Sequence, residues 1–253
     1  MLTHNIVRQH SLPCQKLDFS LFFALDISYS LESENDSIVV CTVYRNNVEV
    51  KSFAERSVPP AGYVPGFLSM REFSPVFNLI EKVKKQFVPT LIVLDGCGRW
   101  HPYRAGLACY ISLALGIPTI GVSKNYLQIE AKNMPIVETI DKHSVQDFFN
   151  ALNSPENQPA GKLQYVERDG FPPFENHHME TYQDVSQLHF RSKDQSGKKR
   201  YYCSLGFQSQ NEQELLNQVI AMKDTVLGAI RVADLSGRAV LGISGFKGQV
   251  EWI

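Results

Sequence analysis

The stretch LIVLDGCGRWHPYRAGLACYISLALGIPTIGVS, residues 91–123, contains the pattern that decides the fold. One apolar run ends on Asp95, an apolar helical pattern follows over 104–115 and stops at Gly116, and a second apolar run occupies 117–123. A strand, a helix and a strand of this combined length make two parallel neighbours inside a sheet. The stretch therefore predicts an α/β fold with a central mixed β-sheet flanked by helices.

The residues before this stretch predict a meander and a helix. Three consecutive apolar runs over residues 20–54 are separated by the polar turns SENDS and RNN, which is typical of antiparallel strands. A helix is predicted from Ser74, with Pro75 at its first position and apolar residues recurring at helical spacing up to Phe87.

The pattern weakens after residue 124. A short helix is predicted at 144–152, and a long loop or insertion around 129–185. The runs SQLHFRS and KRYYCSLG then predict a hairpin, and Asn211 with Glu214 predicts a capping box at the start of a helix. Because no repeat or domain boundary is visible, we expect residues 1–253 to form a single domain.

Composition narrows the class of protein. The formal net charge of the 253 residues is −1 and the pI is about 6.7, so any nucleic-acid surface has to be a local patch. The five cysteines are scattered without a CxxC pair, which argues against both a disulfide framework and a zinc site. No apolar run approaches the roughly 20 residues that span a bilayer, and no signal-like segment is present. We expect an intracellular protein without a membrane partner, cytoplasmic or alternatively nuclear.

Two carboxylates lie within strongly apolar strands. Asp26 is embedded in FFALDISYS and Asp95 closes TLIVLD. A buried carboxylate needs a cation, a metal or several donors, and two such groups on neighbouring strands suit Mg²⁺. Glu72 in SMRE and Lys124 at the end of the next apolar strand strengthen this interpretation, because α/β sheets place their sites at strand ends. The alternative is that Asp95 caps the next turn or accepts from a nearby arginine.

Other motifs in the chain leave two interpretations open. Gly96 and Gly98 lack the third glycine of a dinucleotide fingerprint, and no GxxxxGK[ST] loop occurs. His101 is interpreted as a ligand, a base or a turn residue, and a structural or phosphate-positioning role is favoured. In PPAGYVPGFLSMRE, residues 59–72, Pro65 and Gly66 suit a stiff type II turn that holds Tyr63 outward as a wedge. The alternative is a Tyr63 ring packed on the core.

Four motifs together resemble the endonuclease V family, which acts on inosine-containing nucleic acid. They are FALDISYS, YVPGFLSMRE, LDGCGRWHPYRAGLA and IPTIGVSKNYL, in the family's order and approximate spacing. The resemblance implies a ribonuclease H-like fold and metal-dependent hydrolysis of the phosphodiester on the 3′ side of a hypoxanthine nucleotide. It implies Mg²⁺ or Mn²⁺ as cofactor, no organic cofactor, and inosine-containing DNA or RNA as partner. We also expect a monomer.

The resemblance also assigns residue roles. It implies metal ligation by Asp26, Asp95 and Glu72, a catalytic role for Lys124, and a late acidic residue near the site at Asp234. It also implies that Tyr63, Val64, Pro65 and Gly66 form a wedge that enters the lesion gap. If Asp95 holds a metal ion, we expect the donors Arg99, His101 and Arg104 to contact phosphate or, alternatively, to stabilise the turn.

The sequence departs from the family in three places. Phe207 stands where the family usually has a histidine, Cys97 stands where it has histidine or asparagine, and the segment after Lys124 is longer than typical. These departures leave a second hypothesis open: a protein that binds inosine-containing strands and cuts them weakly or not at all.

Overall fold

The computed structural model describes residues 7, 9–33, 35–60, 67–101, 103–123, 189–192 and 199–253. The helices in these ranges are α1 (Leu68–Val83), α2 (Leu107–Leu115), α3 (Glu212–Ala221) and α4 (Lys223–Val240). The strands are β1 (Leu21–Tyr29), β2 (Ser37–Arg45), β3 (Val48–Ser57), β4 (Leu91–Asp95), β5 (Thr119–Ser123), β6 (His189–Ser192), β7 (Lys199–Leu205) and β8 (Glu251–Trp252). They form a mixed sheet in the order β6-β7-β5-β4-β1-β2-β3-β8.

The predicted meander is confirmed. Strand β2 pairs antiparallel with both β1 and β3. The turn between β2 and β3 contains Asn46 and Asn47 with φ values of 51° and 65°. Asparagine tolerates this left-handed region better than most residues, which explains the tight connection.

The predicted crossover is also confirmed, with a later helix start. Strands β4 and β5 pair in parallel, and α2 ends at Gly116 in the left-handed conformation. The helix begins at Leu107 and not at Arg104, because Arg104 has a φ of 54°, which is not helical. The predicted helix included residues 104–106, which belong to the preceding loop.

Helix α1 begins before the predicted position. It starts at Leu68, so Pro75 lies inside the helix and the prediction of a start at Ser74 is wrong. A proline there removes one backbone hydrogen bond. The first half of α1 nevertheless contains buried residues, among them Phe73, and their packing offsets this cost. The extension places Arg71 and Glu72 on the helix.

The hairpin of β6 and β7 is confirmed as an antiparallel pair. Helix α3 begins where predicted, and Asn211 occupies the N-cap position, but its side chain makes no capping hydrogen bond. The Asn211 backbone N–H instead donates to the Ser209 hydroxyl at 3.1 Å. The local serine satisfies this group in place of the predicted capping box.

Both faces of the sheet are covered by helices. On one face α1 and α2 pack against β1 and β4 through residues such as Phe23 and Ile92. On the other face α3 and α4 pack against Phe22, Val93 and Ile120. We name these the α1 face and the α4 face. In the described ranges no helix is both long enough and apolar enough to cross a membrane.

Candidate functional site

Asp26 and Asp95 lie beside each other on neighbouring strands. Strands β1 and β4 are parallel, and Leu25 pairs with Leu94, so the next pair in this register is Asp26 and Asp95. Side chains alternate between the faces of a strand. Because Ala24 and Val93 pack in the core of the α4 face, Asp26 and Asp95 both point to that face. The structure therefore brings the two predicted carboxylates together at the carboxyl end of β4.

The surroundings of Asp26 hold it in place. Asp26 is buried, and the Ser28 hydroxyl donates to its Oδ2 at 3.4 Å. Helix α4 approaches Ser28 closely at Gly237, where a Cβ atom would lie 2.7 Å from Ser28 Oγ. The contact between α4 and β1 thus restricts the position of Ser28, which donates to Asp26.

Glu72 comes from the opposite side of the sheet. It is buried on α1, and the Tyr29 hydroxyl donates to its Oε1 at 3.0 Å. The Arg71 guanidinium lies 4.4 Å from the centre of the Tyr29 ring. Sequence reasoning missed Tyr29 and Arg71, because their contact with each other depends on how α1 packs against β1.

Burial dominates the protonation of Glu72. Loss of solvent is the main cause that raises its pKa to about 8; the Tyr29 hydrogen bond and the Arg71 charge act against this rise, and the charge of Asp95 adds to it. Glu72 is thus close enough to Asp95 for their charges to interact. A cation at this position would favour the ionised carboxylate.

The loop after β4 folds tightly over β5 and β7. Gly98 N–H donates to Ser204 Oγ at 3.0 Å, and a Cβ atom on Gly98 would lie 2.4 Å from the Leu205 carbonyl oxygen. The Cys97 thiol lies 3.2 Å from Ser123 Oγ in a hydrogen bond. Burial raises the pKa of this thiol, so it stays protonated near neutral pH. Cys97 therefore has a hydrogen-bonding role in this loop.

The three predicted phosphate donors all have interactions within the protein, and Arg104 has its own with the His101 carbonyl oxygen, to which its backbone N–H donates at 2.6 Å. Arg99 Nε lies 3.8 Å from Glu212 Oε1 on α3. His101 is buried, its Nδ1 accepts from Tyr103 N–H at 3.2 Å, and its ring stacks on the Tyr103 ring. Arg104 is exposed. Contact of these three residues with nucleic acid stays a prediction.

Asp234 lies on the side of α4 that faces the sheet. It is four residues after Ile230 and three before Gly237, both of which are buried. Positions with these spacings share one helix face. The late acid is therefore on the same face of the sheet as Asp26 and Asp95.

Phe207 is a core residue of the α4 face, 1% exposed. It follows Leu205, which pairs with Ile120 near the beginning of β5. In this register Phe207 lies near the first residues of β5, whereas Asp95 pairs with Val122 near the last residues of β5. Its apolar side chain is accounted for by packing.

Several predicted residues lie outside the described ranges. They are Lys124, the wedge Tyr63, Val64, Pro65 and Gly66, the predicted helix 144–152 and the predicted insertion 129–185.

The residues present fit a divalent cation. Among the described residues, no group of three or more His, Cys, Asp or Glu side chains is gathered closely enough to hold a metal ion. Mg²⁺ in enzymes that act on phosphates is usually held by one or two carboxylates, with substrate phosphate and water filling the other positions. Asp26 and Asp95 are a pair of carboxylates that could hold such a cation.

A family model described as Endonuclease V matches residues 2–153 of the chain. The chain belongs to the endonuclease V family. Endonuclease V of Trichormus variabilis is 39% identical over 95 residues, which cover 34% of this chain and 42% of the relative. Endonuclease V of Protochlamydia amoebophila is 36% identical over 113 residues, which cover 45% of this chain and 44% of the relative. The matching segments span less than half of each of these relatives.

Solved endonuclease V structures share the fold over nearly the whole chain. The human crystal structure superposes with a TM-score of 0.59 at 16% identity, covering 94% of this chain and 95% of that one. Endonuclease V of Ciona intestinalis, in complex with a 24mer DNA containing an inosine followed by a ribo-adenosine, gives a TM-score of 0.61 at 15% identity and covers 95% of each chain. The predicted ribonuclease H-like fold is confirmed.

Proposed function

We propose that this member of the endonuclease V family is a divalent-metal-dependent endonuclease that cuts the phosphodiester on the 3′ side of inosine or deoxyinosine. Water attacks phosphorus, the bond from phosphorus to the 3′ oxygen breaks, and that oxygen takes a proton. The products are a 3′-hydroxyl and a 5′-phosphate. The observation that carries the proposal is the adjacent position of Asp26 and Asp95 on parallel strands.

The acidic residues have separate tasks in this proposal. Asp26 and Asp95 hold Mg²⁺ or Mn²⁺, and Glu72 supports the cation directly or through water. When bound, the cation supplies Lewis-acid chemistry at the phosphodiester. Lys124, by analogy with the family, neutralises charge on the phosphate, and Asp234 contributes a further negative charge on the α4 face.

The nucleic-acid partner is proposed from the family and from a neighbour in structure. The crystal structure of endonuclease V from Ciona intestinalis contains an inosine-bearing DNA strand. In this chain Tyr63, Val64, Pro65 and Gly66 would enter the gap beside the recognised base, and Arg104 is an exposed candidate for phosphate contact. The proposal includes no organic cofactor and a monomeric enzyme.

The test compares cleavage of inosine-containing DNA and RNA in Mg²⁺, in Mn²⁺ and in EDTA. Asp95→Asn should abolish cleavage, since the amide oxygen is a weaker ligand without charge, and it should leave folding and strand binding largely intact. Asp18→Asn is the matched control. Asp18 lies before the other end of β1, where its Oδ1 accepts from Ser20 N–H at 2.8 Å.

Each outcome has a defined meaning. Metal-dependent cleavage by Asp95→Asn would reject the assignment of Asp95. If the unaltered protein retains inosine-containing strands without forming products under any condition, it is a binding protein and not a nuclease.

A further inference from the structure

We propose that the Tyr29 hydroxyl positions the Glu72 carboxylate for the cation. This inference rests on the proposed function, in which Glu72 supports a metal ion held by Asp26 and Asp95. Tyr29 is a positioning residue, since it acts through Glu72.

The hydrogen bond joins strand β1 to helix α1. Tyr29 is the last residue of β1, three positions after Asp26, and its side chain points to the α1 face. Glu72 lies on α1, which covers that face. The 3.0 Å bond from the Tyr29 hydroxyl to Glu72 Oε1 therefore connects the strand that carries Asp26 with the helix that carries Glu72.

Such a connection is needed because Glu72 reaches the site from the other side of the sheet. Asp26 and Asp95 point to the α4 face, whereas α1 lies on the opposite face. A glutamate side chain has several rotamers. A donor that binds one carboxylate oxygen selects among these rotamers and leaves the second oxygen for another partner.

The Tyr29 ring is itself held firmly. The backbone of Tyr29 is paired with Ser37 of β2. The guanidinium of Arg71, which is 3% exposed, lies 4.4 Å from the ring centre. The strand pairing and the Arg71 contact both restrict the ring and therefore the position of its hydroxyl.

The test separates the hydroxyl from the ring. Tyr29→Phe keeps the ring on Arg71 and removes the hydroxyl, with its hydrogen bonds to Glu72 and to Arg71. We expect the Mn²⁺ concentration that gives half-maximal binding, measured by calorimetry without nucleic acid, to rise about 10-fold, as is usual when a partner of a metal ligand is lost. We expect the KM for an inosine-containing strand to change little.

Tyr44→Phe is the matched control. Tyr44 is also buried, and its ring stacks on Phe22, but it lies near the far end of β2. Removal of the Tyr44 hydroxyl should leave Mn²⁺ binding unchanged. A purely structural role of Tyr29 would lower the melting temperature of Tyr29→Phe and leave Mn²⁺ affinity as in the unaltered protein.

A double-mutant cycle tests the route through Glu72. In a Glu72→Gln background, Tyr29→Phe should cause no further loss of Mn²⁺ affinity. Equal losses in both backgrounds would overturn the inference, as would an unchanged affinity of Tyr29→Phe alone. If Tyr29→Phe leaves Mn²⁺ affinity unchanged while Asp95→Asn and Glu72→Gln weaken Mn²⁺ binding, the inference about Tyr29 is rejected and the proposed function stands. If the unaltered protein binds no Mn²⁺, both are rejected.

Discussion

At the scale of single residues, Glu72 is the group most sensitive to what occupies the site. Its carboxyl is buried beside Asp95, and its pKa rises from 4.5 to about 8. The folded protein therefore holds a proton that the unfolded chain releases between these values. The stability that this proton contributes is complete below pH 4.5 and is lost as the pH rises towards 8.

The first prediction couples this proton to metal binding. Because a cation competes with the proton on Glu72, the rise in melting temperature caused by Mn²⁺ should be larger at about pH 8 than at about pH 6. Thermal melts with and without Mn²⁺ at both pH values measure the difference. In Glu72→Gln much of the difference should disappear, and an equal rise in the unaltered protein at both pH values would contradict the prediction.

The candidate site was partly readable from single residues. Asp95 ends the apolar run TLIVLD, and Asp26 lies inside FFALDISYS. Both can be recognised in the sequence, because burying a carboxylate costs free energy unless it has a partner. Tyr29 and Ser28 carry no such mark, since tyrosine and serine are common in strands and near their ends. Their roles follow from which helix covers which face, and one sequence does not state that.

At the scale of elements, the contact between α4 and β1 controls the surroundings of Asp26. Gly237 and Gly228 are both interior to α4, but only Gly237 faces a strand. A Cβ atom at Gly228 meets nothing within 4 Å, whereas one at Gly237 would lie 2.7 Å from Ser28 Oγ. The two glycines are a matched pair for testing this contact.

The second prediction uses that pair. Gly228→Ala should raise the free energy of unfolding by about 0.5–1 kcal/mol, since alanine favours a helix over glycine. Gly237→Ala should lower it by about 1–3 kcal/mol through overpacking and should slow cleavage, because Ser28 is displaced from Asp26. Denaturant titrations and cleavage assays of both variants provide the measurement. A similar gain in the free energy of unfolding for both variants would show that α4 can shift away from Ser28 without a loss of stability.

The third prediction concerns the wedge. Tyr63→Ala should reduce cleavage of duplex substrates more than cleavage of single strands, since only a duplex leaves a gap to fill. Parallel assays on the same inosine-containing strand, alone and annealed, measure the ratio. Equal losses on both substrates would indicate a packing role for Tyr63.

Elements with strong periodicity were predicted well, and their ends were predicted poorly. The strands of the meander and crossover followed from apolar runs and turn residues. The start of α1 was wrong because Pro75 is typical of a first helical position, and only the packing of the preceding turns reveals why the helix tolerates it. The start of α2 was predicted three residues too early, because the sequence does not show that the Arg104 backbone has a positive φ.

At the scale of the whole molecule, the sheet is protected unevenly. Strands β1 and β4 are paired on both sides and covered on both faces, whereas β6 and β8 lie at the edges of the described sheet. Strand β8 pairs with β3 through only two residues. Opening of an edge exposes little apolar surface and therefore costs less free energy than opening the centre.

The fourth prediction follows from this order. In hydrogen exchange measured by mass spectrometry, peptides from β1 and β4 should exchange slowest, close to the rate set by global unfolding, and β8 should exchange much faster. Adding Mn²⁺ should slow exchange around Asp95 while leaving β8 unchanged. Protection of β8 equal to that of β4 would contradict the prediction.

The cover of the α4 face comes from residues far beyond the stretch that the family model matches. Strands before residue 124 supply Phe22, Val93 and Ile120, but α3 and α4 begin only at Glu212 and Lys223. A polypeptide that ends at residue 153 would lack α3 and α4. Asp26 and Asp95 would then lie on a large apolar sheet face exposed to water. Such a fragment would accumulate in inclusion bodies, so the region of highest family likeness is not a minimal enzyme.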